Sequence, residues 1–575
     1  MTYAASLAAL SRKPITLVKI TLDFCALTFS VAPCTAAGVA CYNTYTTCKD
    51  RANFSRTTKE YKFTSADGPA APFRMGERPY LKSIDYMPTE IKDTITVTAR
   101  ATIELYDEPD YDVGIDPYLS SRTPPILGTF WRKLLARNPN WKGRPVAVYE
   151  GFAGLAEGDY VQKDAAVIDN IELARGAVKI KTIDLLKSLD KIEVPAKVDC
   201  KLVADIDAAV TLITLSNITA AGLSPTGGYV RIGDEIIQYA ATSGTTHQLT
   251  GCTRGAFSTV AAGHLAKDKV QPCKYYWPQN PFDTMLSMLV DDAEIPAGYV
   301  DSWQFEDERD FMPAQEINLS AIISEPTKLG DLYFELVELL DCKSWQAEDL
   351  KITIKRNIPS DPARAYTTIT DAANIIKGSP AVDLNDKSRY TRIYIYWDKD
   401  AIGDLDDPAS YARLDVAVDA DAENANEYNE VVEKKIWCRW VRTGYLADEV
   451  VVDFITTFIN RWLWLRRDAQ TILSLSIDRK DQDISTGDWL KVSTDEMNAI
   501  SGADITDERF QVVKREAKGI KIDLRIQHTH QQRILFITPD AAPDYAAATD
   551  AEREYGYICG DDGLMADGTS GYMIF

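Results

Sequence analysis

Short runs in which β-branched residues alternate with polar ones recur along most of the chain. They include residues 95–105, 145–151, 166–173, 177–183 and 390–397. An alternation with a period of two places the apolar side chains on one face of a β-strand. Many short strands bounded by turn residues are typical of β-barrels and β-sandwiches. We therefore predict a mainly β, multidomain chain with some α+β parts.

A few segments show other local patterns. Residues 228–239 predict a β-hairpin, because Gly233 and Asp234 form a two-residue turn signal between two apolar runs. Apolar residues at helical spacing predict helices over residues 282–290, 329–340 and 445–467. These helices are the expected α part of the fold.

Length and charge limit the classes of protein to be considered. At 575 residues the chain is too long for one hydrophobic core, which indicates several domains, about three to five. The net charge is −22, from 63 basic and 85 acidic residues. We therefore expect no direct binding to nucleic acid, whose backbone is also negative.

Neither a membrane span nor an export signal is expected. The most membrane-like stretch, residues 450–465, is interrupted by Asp453, Asn460 and Arg461. The N-terminal residues lack the arrangement of a secretory signal. We therefore expect synthesis in the cytosol, where thiols stay reduced.

Four of the ten cysteines, Cys25, Cys34, Cys41 and Cys48, fall within 24 residues, with the spacing C-x8-C-x6-C-x6-C. Two disulfide bonds would need an oxidising compartment. A structural zinc ion usually takes closely spaced pairs of cysteines, and no two of these are closer than seven residues. An iron–sulfur cluster also needs four thiolates but not such pairs. The spacing alone leaves these three explanations open.

The segment from Cys25 to Asp50 resembles a cysteine motif in the tail-tip hub proteins of long, non-contractile-tailed bacteriophages and of related gene transfer agents. Residues 116–138 and 473–492 resemble parts of the two hub barrels of that family, and residues 232–264 resemble a small β module frequent in tail proteins. The likeness spans roughly residues 20–535. In the lambda relative the motif lies toward the C-terminus, whereas here it lies near the N-terminus.

The resemblance implies a [4Fe–4S] cluster as the cofactor. Its ligands would be Cys25, Cys34, Cys41 and Cys48. The flanking residues expected to shape the loop are Asn43, Thr44, Thr47 and Asp50. The cluster would hold a loop-rich segment in place, as a covalent staple.

The resemblance also implies a structural role in the virion, as a baseplate hub subunit and not as an enzyme. Such a hub closes the tail tube, links the distal tail ring to the central fibre, and takes part in host attachment and genome ejection. The expected partners are two further copies in a homotrimer, the distal tail protein ring, the central fibre or receptor-binding protein, and the tape-measure protein. Assembly would take place in the host cytoplasm, and the alternative function is a virion-associated cell-wall hydrolase.

Six parts are expected along the chain. They are an N-terminal segment with the cysteine cluster (1–70), a first hub β-barrel (71–195), an inserted small β module (196–278), an α/β region (279–385), a second hub β-barrel (386–538) and an extended C-terminal tail (539–575). The fold class is therefore mainly β, with two hub-type barrels, an inserted module and a cysteine-rich N-terminal segment.

Other candidate sites are weaker. His528 and His530 lie on the same face of a predicted strand and could bind a metal, but no third ligand is evident and we interpret them as an ordinary strand pair. Residues 419–430 mimic the acidic spacing of a calcium loop, but Asn424 stands where such a loop needs glycine. The six scattered cysteines, most of them predicted to be inert buried thiols, are Cys200, Cys252, Cys273, Cys342, Cys438 and Cys559.

Overall fold

The computed structural model describes residues 3, 14–65, 78–87, 90–91, 96–97, 100–122, 127–218, 222–310, 317–347, 351–356, 366–385, 389–424, 426–443, 448–478, 481, 483–498, 502–518 and 521–528. The chain is mainly β, with 43% strand and 18% helix in several sheets, which confirms the predicted fold class. The expected C-terminal tail, residues 539–575, lies outside the described residues.

The chain divides into two compact units. The first unit comprises Met1–Thr89, Val97–Ser188 and Gln346–Ile352. The second unit comprises Glu90–Thr96, Leu189–Trp345 and Thr353–Phe575.

Among its described residues, the N-terminal third of the chain contains nine strands. They are β1 (Pro14–Cys25), β2 (Arg56–Thr64), β3 (Leu81–Met87), β4 (Glu90–Ile91), β5 (Thr96–Val97), β6 (Arg100–Tyr106), β7 (Pro145–Phe152), β8 (Val161–Ala174) and β9 (Ala177–Ile183). Seven of them form the antiparallel sheet of the first unit, in the order β2-β1-β7-β8-β9-β6-β3. A parallel bridge from Phe63 to Arg78 links β2 to the segment that leads into β3.

The core of the first unit is built on alternating apolar residues and on one helix. Its described residues include two short α-helices, α1 (Phe130–Arg137) and α2 (Leu185–Ser188). Phe63 of β2 packs against Phe130 and Trp131, with ring centroids 5.6 and 5.1 Å apart. Asp107 fixes the start of α1, because its carboxylate accepts from the Trp131 amide at 2.9 Å and so satisfies one of the free N–H groups of the first turn.

In the part of the middle third that the structure describes, there are eleven strands and three α-helices. The strands are β10 (Glu193–Val194), β11 (Ile213–Thr214), β12 (Gly228–Ile232), β13 (Glu235–Tyr239), β14 (Ala241–Ser243), β15 (Gln248–Thr250), β16 (Val270–Gln279), β17 (Leu319–Ile323), β18 (Thr327–Lys328), β19 (Cys342–Gln346) and β20 (Ile352–Arg356). The helices are α3 (Pro281–Ser287), α4 (Ser302–Asp310) and α5 (Leu329–Leu339). The sheets are β13-β12-β16-β17, β11-β15-β14, β10-β18 and β19-β20.

The predicted hairpin at residues 228–239 is confirmed, since β12 pairs with β13 around Gly233 and Asp234. Gly233 has a φ of 58°, which glycine adopts without the steric cost that a side chain would add. The helices predicted at 282–290 and 329–340 are confirmed as α3 and α5.

The described ranges of the C-terminal third contain nine strands and one long helix. They are β21 (Thr367–Thr370), β22 (Ala381–Asn385), β23 (Arg392–Lys399), β24 (Tyr411–Val418), β25 (Glu433–Trp437), β26 (Gln470–Asp478), β27 (Trp489–Asn498), β28 (Asp504–Lys518), β29 (Lys521–His528) and α6 (Asp448–Arg466). One eight-stranded sheet has the order β21-β27-β28-β29-β26-β22, with β4 paired to β28 and to β5. A three-stranded sheet has the order β24-β23-β25.

The long helix α6 corresponds to the helix predicted at residues 445–467. Its residues Ile455, Ile459 and Trp462 are buried, and they recur at the three-to-four-residue spacing that places them on one helix face. Across the residues that the structure describes, no helix is long and apolar enough to cross a membrane.

Candidate functional site

The four clustered cysteines line one pocket in a loop of the first unit. The loop leaves β1 at Cys25 and rejoins the sheet at Arg56, the first residue of β2. Cys25, Cys34, Cys41 and Cys48 are all partly exposed and free of disulfide bonds, and all four contribute to the pocket wall. We call this site the cysteine pocket. Its apolar wall is formed by Leu27, Phe29, Ala36 and Phe54.

Asn43 joins the start of the loop to its middle. Its side-chain amide donates to the carbonyl of Leu27 at 3.1 Å and to that of Cys25 at 3.4 Å. Its side-chain oxygen accepts from the Cys41 thiol at 3.4 Å. Asn43 is buried and has a φ of 54°, a left-handed conformation that asparagine tolerates better than most residues.

Asp50 joins the segment after Cys34 to the segment after Cys48. The amide and the hydroxyl of Thr35 donate to its carboxylate at 2.7 and 2.8 Å, and the Asn53 side chain donates to it at 3.0 Å. These hydrogen bonds, with the one from the Thr35 amide the strongest, lower the pKa of Asp50.

Two threonines hold the rest of the loop. The Thr47 hydroxyl accepts from the Tyr42 amide at 3.1 Å and lies 2.8 Å from the Thr44 hydroxyl. The Thr44 hydroxyl donates to the carbonyl of Arg137 at 2.7 Å, at the end of α1. The four residues expected to flank the motif (Asn43, Thr44, Thr47 and Asp50) therefore all make hydrogen bonds that shape this loop.

Two arginines, whose part in the site the sequence did not reveal, also hold the loop. The guanidinium groups of Arg122 and Arg137 lie over the Tyr42 ring, 3.8 and 4.0 Å from its centroid. Arg122 also donates to the carbonyl of Cys41 at 2.8 Å and forms an ion pair with the buried Asp116. Arg122 lies 81 residues from Cys41, and no local pattern connects the two, so sequence reasoning had no signal for this contact.

The electrostatics of the pocket centre on Cys41. Burial raises the pKa of its thiol. The hydrogen bond with Asn43 opposes this effect, and negative charge on the Cys48, Cys25 or Cys34 thiolates adds to it. A bound cation would oppose the effects of burial and of this negative charge, because metal ligation requires the thiolate form.

Whether this pocket can hold a metal ion or cluster depends on the arrangement of its donor atoms and on its volume. Within the described ranges, no group of three or more His, Cys, Asp or Glu side chains is arranged to hold a metal ion. The four thiols nevertheless share one pocket, and four sulfur donors are a set that iron–sulfur clusters and zinc both take. The pocket volume is about 10 Å³, the space of about one water molecule. The four sulfur donors have the chemistry that such groups take, but as they are placed here they do not enclose a space that could contain one.

The other two candidate sites are occupied by ordinary ion pairs. His528 lies 3.1 Å from the Glu508 carboxylate on the neighbouring strand, a partner that the sequence did not indicate, and His530 lies outside the described residues. In the calcium-like segment, Glu423 binds Arg392 at 2.6 Å and Glu430 binds Arg389 at 2.6 Å. These carboxylates therefore already serve as partners of arginine.

A second polar centre, which the sequence did not reveal, lies in the β module of the second unit. The carboxylate of Glu235 is fully buried. It accepts two hydrogen bonds from Arg254, at 2.8 and 2.7 Å, and one each from the amides of Gly255 (2.9 Å) and Ala262 (3.1 Å). The His264 ring contacts it at 2.8 Å. These partners, with Arg254 the strongest, outweigh burial and lower the pKa of Glu235 to about 2. We call this group the Glu235 centre.

The sequence matches no protein-family model and no curated protein. Among solved structures it is similar to the tail protein from Neisseria meningitidis MC58, at 10% identity over 78% of this chain and 96% of that chain, with a TM-score of 0.36. The 43 kDa tail protein of prophage MuSo2 from Shewanella oneidensis is 9% identical over 78% and 97%, with a TM-score of 0.36. A chain of the virion of a native gene transfer agent particle is 10% identical over 44% and 47%, with a TM-score of 0.28. Similarity at this level does not by itself establish a shared function.

Proposed function

We propose that the chain is a structural subunit of a bacteriophage tail tip, a baseplate hub, and that its cysteine pocket holds a [4Fe–4S] cluster. The observation that carries the proposal is the meeting of Cys25, Cys34, Cys41 and Cys48 around one pocket. Four thiols that share one pocket are a donor set that such a cluster takes, and their wide spacing over 24 residues favours a cluster over a single zinc ion. The resemblance of the surrounding motif to tail-tip hub proteins supports the same conclusion.

The cluster would crosslink the four cysteine positions and so hold the loop in one conformation. The loop leaves Val31, Val39 and Tyr45 exposed and therefore gains little from apolar burial to offset the entropy lost on ordering. Iron–thiolate bonds from four separated positions would fix the loop directly and make metal binding part of its folding free energy.

The assembly that we propose follows the family resemblance. Three copies would form a ring that closes the tail tube, in contact with the distal tail protein ring on one side and a central fibre or receptor-binding protein on the other. The tape-measure protein would end at this ring. The hub would reside in the virion, assemble in the host cytoplasm, and open at host attachment so that the genome can leave.

The cofactor is tested by purifying the full chain without oxygen and measuring iron, acid-labile sulfide and visible absorption. We expect about four irons and four sulfides per chain and a broad visible band. The Cys41→Ser variant should lose most of its bound iron and sulfide and most of the visible band. Cys273→Ser is the matched control, because Cys273 is a partly exposed cysteine in β16, outside the pocket. Stoichiometric zinc, or no metal under strict anaerobic handling, would contradict the cluster.

The tail-tip role is tested separately. Antibody labelling of intact particles, viewed by electron microscopy, should mark the end of the tail, and the purified chain should have three times the mass of one copy in light scattering. Labelling along the tail tube or on the capsid would contradict the hub assignment, whatever the metal content.

A further inference from the structure

A second cavity, of about 140 Å³, lies in the second unit where β17, β23 and β25 end. Three cationic side chains line it: Lys399 at the end of β23, and Arg439 and Arg442 just after β25. We call it the basic cavity. Since about 10–15 Å³ of such space holds one water molecule, the basic cavity has room for a tetrahedral oxyanion.

Among the residues that the structure describes, one of the three cations is neutralised by a close carboxylate. Arg439 contacts Glu335 at 2.9 and 3.0 Å. Arg442 is partly buried and lies over the Phe257 ring at 5.3 Å, and it forms no hydrogen bond or ion pair with any residue in the described part of the chain. Its planar group of five N–H donors suits two-point binding of an oxyanion.

Lys399 has one ammonium hydrogen that can still donate to a ligand. Its ammonium group donates to the carbonyls of Asp400 and Gly403, which uses two of its three hydrogens. Burial, followed by the nearby charge of Arg439, lowers the pKa of Lys399 to about 8. The charges of Asp400, Asp404 and Glu325 oppose this shift, but among the described residues none of these carboxylates forms an ion pair with Lys399.

Acidic residues also line the cavity, but they are directed to solvent or already paired. Glu325 is 65% exposed and forms an ion pair with Arg231. Asp400 and Asp404 are exposed. Exposed charges are screened by water and salt more strongly than partly buried ones, so they offset the charges of Lys399 and Arg442 only in part.

We propose that the basic cavity binds a phosphate group, held by Arg442 and Lys399. Two poorly compensated positive charges match the charge of a phosphate group, about −1.5 to −2 at neutral pH, better than the single charge of a carboxylate. The ligand can be the free ion or a phosphate ester, since both present the same oxygens. The proposal does not depend on the tail-tip assignment or on the cluster.

The test is isothermal titration of the full chain, at constant ionic strength, with three probes: inorganic phosphate, glycerol phosphate and acetate. We expect saturable binding of inorganic phosphate and weaker binding of acetate. If glycerol phosphate also binds, the site accepts phosphate esters. If inorganic phosphate binds and glycerol phosphate does not, the site is specific for the free ion. No saturable binding of either phosphate probe, or acetate binding as tight as phosphate, would overturn the proposal.

Variants localise the binding. Arg442→Gln should weaken phosphate binding roughly tenfold or more, because charge-assisted hydrogen bonds are lost. Arg442→Lys keeps the positive charge but loses the two-point geometry, so its affinity for phosphate should lie between that of the wild type and that of Arg442→Gln. Lys435→Gln is the control, since it removes one positive charge from an exposed position on β25 outside the cavity. Wild-type affinity in a folded Arg442→Gln protein would place the phosphate elsewhere and overturn the assignment.

Discussion

Two loops of this molecule, residues 254–264 and the loop between β1 and β2, each surround a small polar centre. The two centres differ in whether protein groups alone satisfy the polar atoms at the centre. In the second unit, the Glu235 centre joins residues 254–264 to β13 by hydrogen bonds that come from the protein alone. In the first unit, the cysteine pocket brings four thiols together, and a single thiol hydrogen bond, from Cys41 to Asn43, lies within it.

The difference lies in the chemistry of the central groups. An ionised carboxylate accepts several strong, charge-assisted hydrogen bonds, so five donors around Glu235 can replace the water that it loses on burial. A thiol is only a weak donor and a weak acceptor. A centre made of thiols therefore contributes little by itself, which is why we propose that a metal cluster completes it.

The largest effect is expected from removing the charge of Glu235. Glu235→Gln leaves Arg254, whose side chain is 6% exposed, as an unpaired buried charge, so the free energy of unfolding of the second unit should fall by about 3–5 kcal/mol. Urea denaturation measures the change. Asp234→Asn is the matched control, because the neighbouring Asp234 side chain is 98% exposed. Equal effects of the two substitutions would show that the Glu235 centre is not what holds this loop.

The same centre predicts a dependence on acid pH. The folded-state pKa of Glu235 is about 2, below its ordinary value of 4.5, so its contribution to stability is complete above pH 4.5 and is lost as the pH falls toward 2. At about 1.4 kcal/mol per pKa unit, the loss approaches 3 kcal/mol. Urea denaturation at a series of pH values should show this fall in the wild type and a smaller one in Glu235→Gln. Parallel curves for the two proteins would contradict the assignment.

The two centres were not equally predictable from the sequence. The cysteines stand out because four of a rare residue fall within 24 positions, and the hairpin beside Glu235 follows from the local turn signal at Gly233 and Asp234. The role of Glu235 gave no such signal. Its partners Arg254 and His264 lie 19 and 29 residues further along the chain, and in a chain with 85 acidic residues no one carboxylate is conspicuous.

The same limit applies within the cysteine pocket. The hydrogen bonds of Thr47 join residues three to five positions apart, and those of Asn43 reach 16 and 18 residues back to Leu27 and Cys25 within the same loop. Their part in shaping the loop could be expected from the flanking residues of the motif. The contacts of Arg122 and Arg137 with Tyr42 depend on how α1 and its neighbours pack against the loop. Short-range patterns predict strands, turns and loop anchors, whereas contacts over about 80 residues depend on the folded core.

A smaller effect is expected where side chains alone hold the cysteine loop. Asn43→Ala removes two hydrogen bonds to the Leu27 and Cys25 carbonyls and places alanine at a φ of 54°, so the loop should lose about 2–3 kcal/mol of local stability. Asn43→Gly keeps the backbone conformation accessible and should lose about 1 kcal/mol less. Hydrogen exchange of residues 25–55 reports this local opening. Identical exchange in the two variants would show that backbone conformation contributes nothing at this position.

The smallest effect is expected from the Tyr42 ring. Tyr42→Leu keeps an apolar side chain but removes the cation–π contacts with Arg122 and Arg137, each about 0.5–1 kcal/mol at a partly exposed site. The loop should therefore lose about 1–2 kcal/mol by the same hydrogen-exchange measurement. Tyr111→Leu, at a tyrosine that is 66% exposed, is the control and should change exchange by less than about 0.5 kcal/mol. A loss several times larger for Tyr42→Leu would mean that this ring, and not the thiols, mainly determines the conformation of the loop. Both centres would then be formed by protein groups alone, and the contrast with the Glu235 centre would no longer hold.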